Sequence, residues 1–202
     1  MERMRAALQQ DDPDLTVYGC SAHWLNLLGQ DLTTQSVMKH IVEVQKYFRN
    51  HHKPCAWPTE CLDSRKSQLL GETRWKSQLT CLDSCNTNRP SHMKIVQDHE
   101  DEIDQNIAKK IQNINIFRKA KDMADQLRPV ANAIDCCQAD DASLAAARDT
   151  WLSLLDHPKL QSPALKHVVV KRLKQAILPN ISQPTSYIQN IKEPNCRLLK
   201  QK

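Results

Sequence analysis

The chain has 202 residues, a net charge of +5, 40% hydrophobic and 25% charged residues. That is long enough for one domain with its own core and too apolar for wholesale disorder, and no apolar run approaches the roughly 20 residues of a membrane span. Three glycines and 4% aromatic residues favour a helical chain cored by Leu, Ile, Val and Ala over a β-sandwich, and the modest positive charge favours acidic or nucleic-acid surfaces only weakly. The opening Met-Glu-Arg-Met-Arg has no apolar stretch of a secretory signal, so the eight cysteines are expected as reduced, scattered thiols.

In chain order, Met4, Ala7 and Leu8 have helical spacing, and Asp11-Asp12-Pro13-Asp14 reads as a turn because proline forces its predecessor out of the helical region. The β-branched and aromatic run Leu15-Thr16-Val17-Tyr18 reads as a buried strand. A lone strand cannot satisfy its own backbone groups, so the sheet it joins is expected to lie outside this sequence, and its edge needs a covering partner. From Ala22 to about Phe48 the apolar positions recur at three- and four-residue steps, with Thr33 or Thr34 as a capping residue for a restart. Residues 53–71 read as a loop.

Thr73 is the expected cap of a helix to about Asn86, broken by Asn88-Arg89-Pro90-Ser91 and followed by another from Ser91 towards Asp98. Ile103, Ile107, Ile111, Ile114 and Phe117 form one apolar stripe, continued by Met123, Leu127, Val130 and Ile134, with a kink or split expected at Pro129. Asp140 or Asp141 is the expected cap of a helix carrying Leu144, Ala147, Trp151 and Leu155. The last helix spans about 162–178, with Pro163 in its first turn and Leu165, Val169, Leu173 and Ile177 inward. The tail, residues 179–202, reads as disordered.

Two stretches carry chemistry by their wording. Cys20 and His23 stand one turn apart at the start of the helix, followed by Leu25-Asn26-Leu27, and Thr73-Arg74-Trp75-Lys76 comes later. In that order they resemble the Cys-x-x-His and Arg-Trp motifs of hAT-superfamily DNA transposases, over residues 1 to about 178. The resemblance implies a mainly α chain: a remnant of an RNase H-like α/β core over residues 1–52, then a helical bundle over residues 72–178 similar to the family's all-helical insertion domain. It places Cys20 and His23 beside the catalytic region, with Asn26 a further residue of the same motif, and makes Trp75 a candidate stacking surface for a DNA base, with Arg74 next to it.

Such nucleases need three carboxylates converging on two Mg2+ or Mn2+ ions. By the resemblance, the first two acids belong before residue 1 and the third after the helical insertion. No residue here inherits a catalytic role, and Asp11, Asp12 and Asp14 are turn residues. The chain is therefore expected to be a catalytically inactive, domesticated transposase-derived fragment without a cofactor. It would be nuclear by resemblance, with a residual nucleic-acid-binding or protein-interaction role. The competing expectations are transposase activity completed by another chain, and a transposon relic without selected function.

Lys166, Lys171, Arg172 and Lys174 on the last helix are candidate DNA-facing cations, or a solvated face opposite its apolar stripe. Three metal readings are set against simpler ones. Cys20 and His23 would supply only half of a tetrahedral zinc site. Cys81, Cys85, His92 and His99, with three, six and six intervening residues, miss zinc-finger spacing. His51, His52, Cys55 and Cys61 fall in the loop. The acidic run Asp98 to Asp104 reads as a helix N-terminus rather than a calcium loop. Cys136 and Cys137 point in different directions, which suits burial of one of them.

Overall fold

The computed structural model describes residues 7, 10–12, 20–51, 67–69 and 76–177. Among them lie seven helices, α1 (Ser21–Leu32), α2 (Gln35–Asn50), α3 (Lys76–Asp98), α4 (Gln105–Gln112), α5 (Ile114–Gln138), α6 (Leu144–Asp156) and α7 (Pro163–Ile177), with a 3-10 turn at Pro158–Leu160. The expected strand at 15–18, the cap Thr73, most of the 53–71 loop and the tail fall outside the described residues.

α5 is the central element. It packs against α1, α2, α3, α6 and the 3-10 turn, while α7 lies against α1 and α6. The reason is the width of its apolar stripe: Phe117, Ala120, Met123, Ala124, Leu127, Val130, Ala131, Ala133 and Ile134 are all buried, enough to face neighbours on several sides. Four of these are alanines, which let neighbouring backbones approach. Buried residues from all seven helices and the 3-10 turn belong to one continuous core.

The structure corrects the expectation of an RNase H-like α/β remnant over residues 1–52. The described part is 83% helical and contains no strand. The segment expected to flank a sheet is the pair α1–α2, whose apolar faces are filled by other helices. Leu25, Leu28 and Leu32 of α1 and Val37, Ile41, Val44 and Phe48 of α2 are buried in the same core as α3, α5 and α7. Mainly α is the architecture; an α/β core is not.

Local boundaries follow recognisable chemistry. α1 and α2 are separated by Thr33 and Thr34, both extended, where the Thr33 N–H closes onto the Gln30 carbonyl at 3.1 Å. The long stripe from Ile103 divides at Asn113, which ends α4 and caps α5 through its side chain, accepting from the Ile116 N–H at 3.3 Å; Ile114 at this junction is exposed. Asp104 caps α4, accepting from the N–H groups of Asn106 at 2.8 Å and Ile107 at 3.1 Å, which is the helix-start role read from the acidic run. Ser143, not Asp140 or Asp141, caps α6 by accepting from the Ala146 N–H. Pro90 and Pro129 both lie inside unbroken helices, contrary to the break expected at 88–91.

Candidate nucleic-acid interface

The last helix is the element with the most lopsided charge. α7 carries Lys166, Lys171, Arg172 and Lys174 and no carboxylate over its 15 residues. Val169, Leu173 and Ala176 anchor it in the core, with Leu165, Val168 and Val170 half-buried around them. At about 100° per residue, His167, Lys171 and Lys174 recur at four- and three-residue steps on the side opposite Val169. His167 and Lys171 are exposed and Lys174 is half-exposed. Lys166 is also exposed, with its ammonium 3.4 Å from the Gln161 side-chain oxygen.

Arg172 points elsewhere. Its guanidinium makes a two-pronged bond to Asp31 at the end of α1, Nε donating at 2.6 Å and Nη2 at 2.9 Å. Its side chain is only 15% exposed. The Asp31 carboxyl is held below the usual carboxylate range, chiefly by the Arg172 hydrogen bond, against a smaller opposing effect of burial and with help from Lys171. Arg172 therefore ties α7 to α1, and His167, Lys171 and Lys174 are left as the outward stripe. Sequence reasoning missed His167, although its spacing from Lys171 and Lys174 was legible.

The motif residues on α1 are placed as follows. Cys20 is the residue before the first turn, exposed, and its side chain makes no capping hydrogen bond. His23 is exposed and meets Trp24 edge-on, with ring centroids 5.6 Å apart. Asn26 donates its side-chain amide to the Ala22 carbonyl at 2.9 Å, a bond within its own helix. Arg74 and Trp75 lie outside the described residues.

Among the described residues no group of three or more His, Cys, Asp or Glu side chains is arranged to hold a metal ion. Cys81 and Cys85 are fully buried on α3; desolvation pushes the Cys81 thiol up to about 11 and Cys85 further up. His92, on the same face, is stacked flat on Phe48 with centroids 4.1 Å apart, while His99 sits 3.8 Å from Glu102. Of the loop set, only His51 is described. A groove of about 720 Å3 between α5 and α6 is edged by Asp125, Arg128, Asp149, His157 and Lys159. Its cations are engaged, Arg128 with Asp83 and Lys159 with Asp125, so the groove offers no single sign of charge to a ligand.

No helix among the described residues is long and apolar enough to cross a membrane. No family model, no curated protein and no solved structure matches the chain.

Proposed function

We propose that the chain is a non-catalytic, transposase-derived helical module of the nucleus that contacts nucleic-acid backbone through α7. The transposase origin rests on the wording of the Cys20-x-x-His23 and Arg74-Trp75 motifs alone. The binding reading is carried by one observation: four cations and no carboxylate on α7, with Arg172 drawn inward to Asp31 and His167, Lys171 and Lys174 left along the outer side. Seven residues of helix span about 10 Å, so such a stripe reaches only one or two phosphates on a strand and the binding is weak and largely independent of sequence.

The test is fluorescence anisotropy with a labelled duplex and a labelled single strand at several salt concentrations. Binding should weaken as salt rises, with a logarithmic slope of about one for each phosphate contact. Lys171→Glu with Lys174→Glu should abolish it while leaving the helical circular dichroism unchanged. Absence of binding at low salt, or binding indifferent to the charge reversal, would refute the interface. Nicking of DNA by the purified protein with Mg2+ or Mn2+ would refute the non-catalytic assignment.

A further inference from the structure

α2 packs against α4, and the two helices border a cleft of about 480 Å3, a size ordinary for a small-molecule site. Its α2 wall carries two rows at four-residue spacing, Lys46–Asn50 and Tyr47–His51. Tyr47 is fixed from three directions. Its ring meets Phe48 edge-on with centroids 5.4 Å apart, His51 lies against it at 5.0 Å with the planes tilted by 39°, and its hydroxyl accepts from the Asp104 N–H at 3.2 Å. A ring surface held in this way needs little ordering when a ligand arrives. On the α4 wall, half-buried Ile107 supplies an apolar patch. His40 ties the two helices together, its Nε2 standing 3.0 Å from the Lys110 carbonyl oxygen.

The cleft is cationic once its existing bonds are counted. Both carboxylates are committed: Glu43 accepts from the Lys110 ammonium, and Asp104 caps α4 through Oδ1. Lys46 is exposed and makes no ion pair or hydrogen bond among the described residues. The exposed side-chain amides of Asn50 and Asn106 are likewise unbonded there. Each of these groups narrows the ligand. The rings favour a planar apolar surface, and the free ammonium favours an anion. Each amide offers a donor and an acceptor, so the pair suits an edge that presents both. A metal ion or other cation would want an uncommitted carboxylate, and the cleft has none. A simple anion would leave the rings and amides unused.

We propose that the α2–α4 cleft binds a nucleotide with an unpaired base, stacked on the Tyr47–His51 rings, its edge met by Asn50 and Asn106 and its phosphate by Lys46. Stacking on an aromatic side chain tolerates any base, whereas an Asn amide matches the donor and acceptor of an adenine edge, so adenine is the best-suited base. The nucleotide comes either free in solution or as an unpaired position of a single strand. Neither source draws on α7, which rests on α1 and α6.

The test is calorimetric titration of the full chain with AMP, adenosine and inorganic phosphate. AMP should bind more tightly than either of the other two. His51→Ala and Tyr47→Leu should each weaken AMP by at least about fivefold, the lower edge of what one aromatic gives a stacked base, and Tyr47→Phe should keep most of the affinity. Lys46→Gln should bring AMP down to the affinity of adenosine and leave adenosine unchanged. His51 and Lys46 are exposed, so their variants test the site even if Tyr47→Leu fails to fold by circular dichroism. The titration is repeated in Lys171→Glu with Lys174→Glu, where AMP binding should persist whether or not α7 contacts nucleic acid. In that background an adenine-rich single strand that displaces AMP identifies the strand as the source, and one that does not identifies the free nucleotide. No AMP binding at millimolar concentration, phosphate binding as tightly as AMP, an affinity indifferent to His51→Ala and Lys46→Gln, or a blunt duplex that displaces AMP as well as the single strand does would each overturn the site.

Discussion

His92 is a buried imidazole with neither ring nitrogen bonded to a protein group, held by flat stacking on Phe48. Desolvation lowers its pKa from 6.5 to about 4. The unfolded chain, whose imidazole keeps the higher value, therefore binds a proton more readily than the folded one. Stability is complete above about pH 6.5 and falls as pH drops towards 4, by on the order of 3 kcal/mol for a shift of this size. Urea denaturation of the wild type at pH 7.5 and 4.5 should show this loss. In His92→Leu the His92 share of it should vanish, leaving a flatter profile. The same variant should be no less stable at pH 7.5, because it removes two unsatisfied polar atoms from an apolar site. Arg172 presents the opposite case. Its two-pronged bond to Asp31 is only partly exposed, so Arg172→Met should cost about 1 kcal/mol, read by chemical denaturation, with α7 the first element to lose amide-exchange protection. Neither environment could be read from the chain alone: Phe48 and Asp31 lie far away in sequence, and no local pattern announces a stacking partner or a counter-ion.

Among the helices, α3 shows where local rules are overruled. Pro90 is exposed on an interior turn and leaves the Asn86 carbonyl without its helical N–H donor, yet the helix runs on to Asp98. Burial holds it together: Leu82, Cys85 and Asn88 before the proline and His92, Ile95 and Val96 after it are all inside. Pro90→Ala restores the missing hydrogen bond and relieves the ring clash, offset by greater freedom of the unfolded chain. The expected gain is about 2 kcal/mol, seen as a higher denaturation midpoint with unchanged slope. The break read from Asn88-Arg89-Pro90-Ser91 failed because a tertiary contact outweighed a local preference. Other boundaries were legible in position: the start of α7 at Pro163 and the acidic start of α4 follow local chemistry, whereas the Thr33-Thr34 interruption falls where expected but without a side-chain cap from Thr34, its polar groups reaching Gln78 and Met123 of other helices. The inward phase of α7 was equally legible, and so were Lys171 and Lys174 on its outer side. The division of the long stripe at Asn113 was less so, since its apolar period continues through the junction.

At the scale of the whole molecule, a strand and a helix at the start of the chain suggested a separate α/β piece, but periodicity tells only that a helix has an apolar face, not what covers it. In the structure that face is covered by other helices. α1, α2, α3, α6 and the 3-10 turn all lean on α5, so no described helix pair has a core independent of it. This predicts one cooperative transition rather than two. Leu127 sits at the middle of α5 with no exposure, and Leu127→Ala should cost about 2–5 kcal/mol through lost burial and the cavity left behind. Against the roughly 5–15 kcal/mol typical of a domain, that loss should shift the entire curve. Thermal melts followed by circular dichroism and by fluorescence of Trp24 in α1 and Trp151 in α6 should move together, after the contributions of Trp57 and Trp75 are removed by Trp→Phe replacement. A two-step melt in which Trp24 holds its midpoint while Trp151 falls would mean that α1 belongs to a folding unit of its own, and the single-core architecture would be wrong.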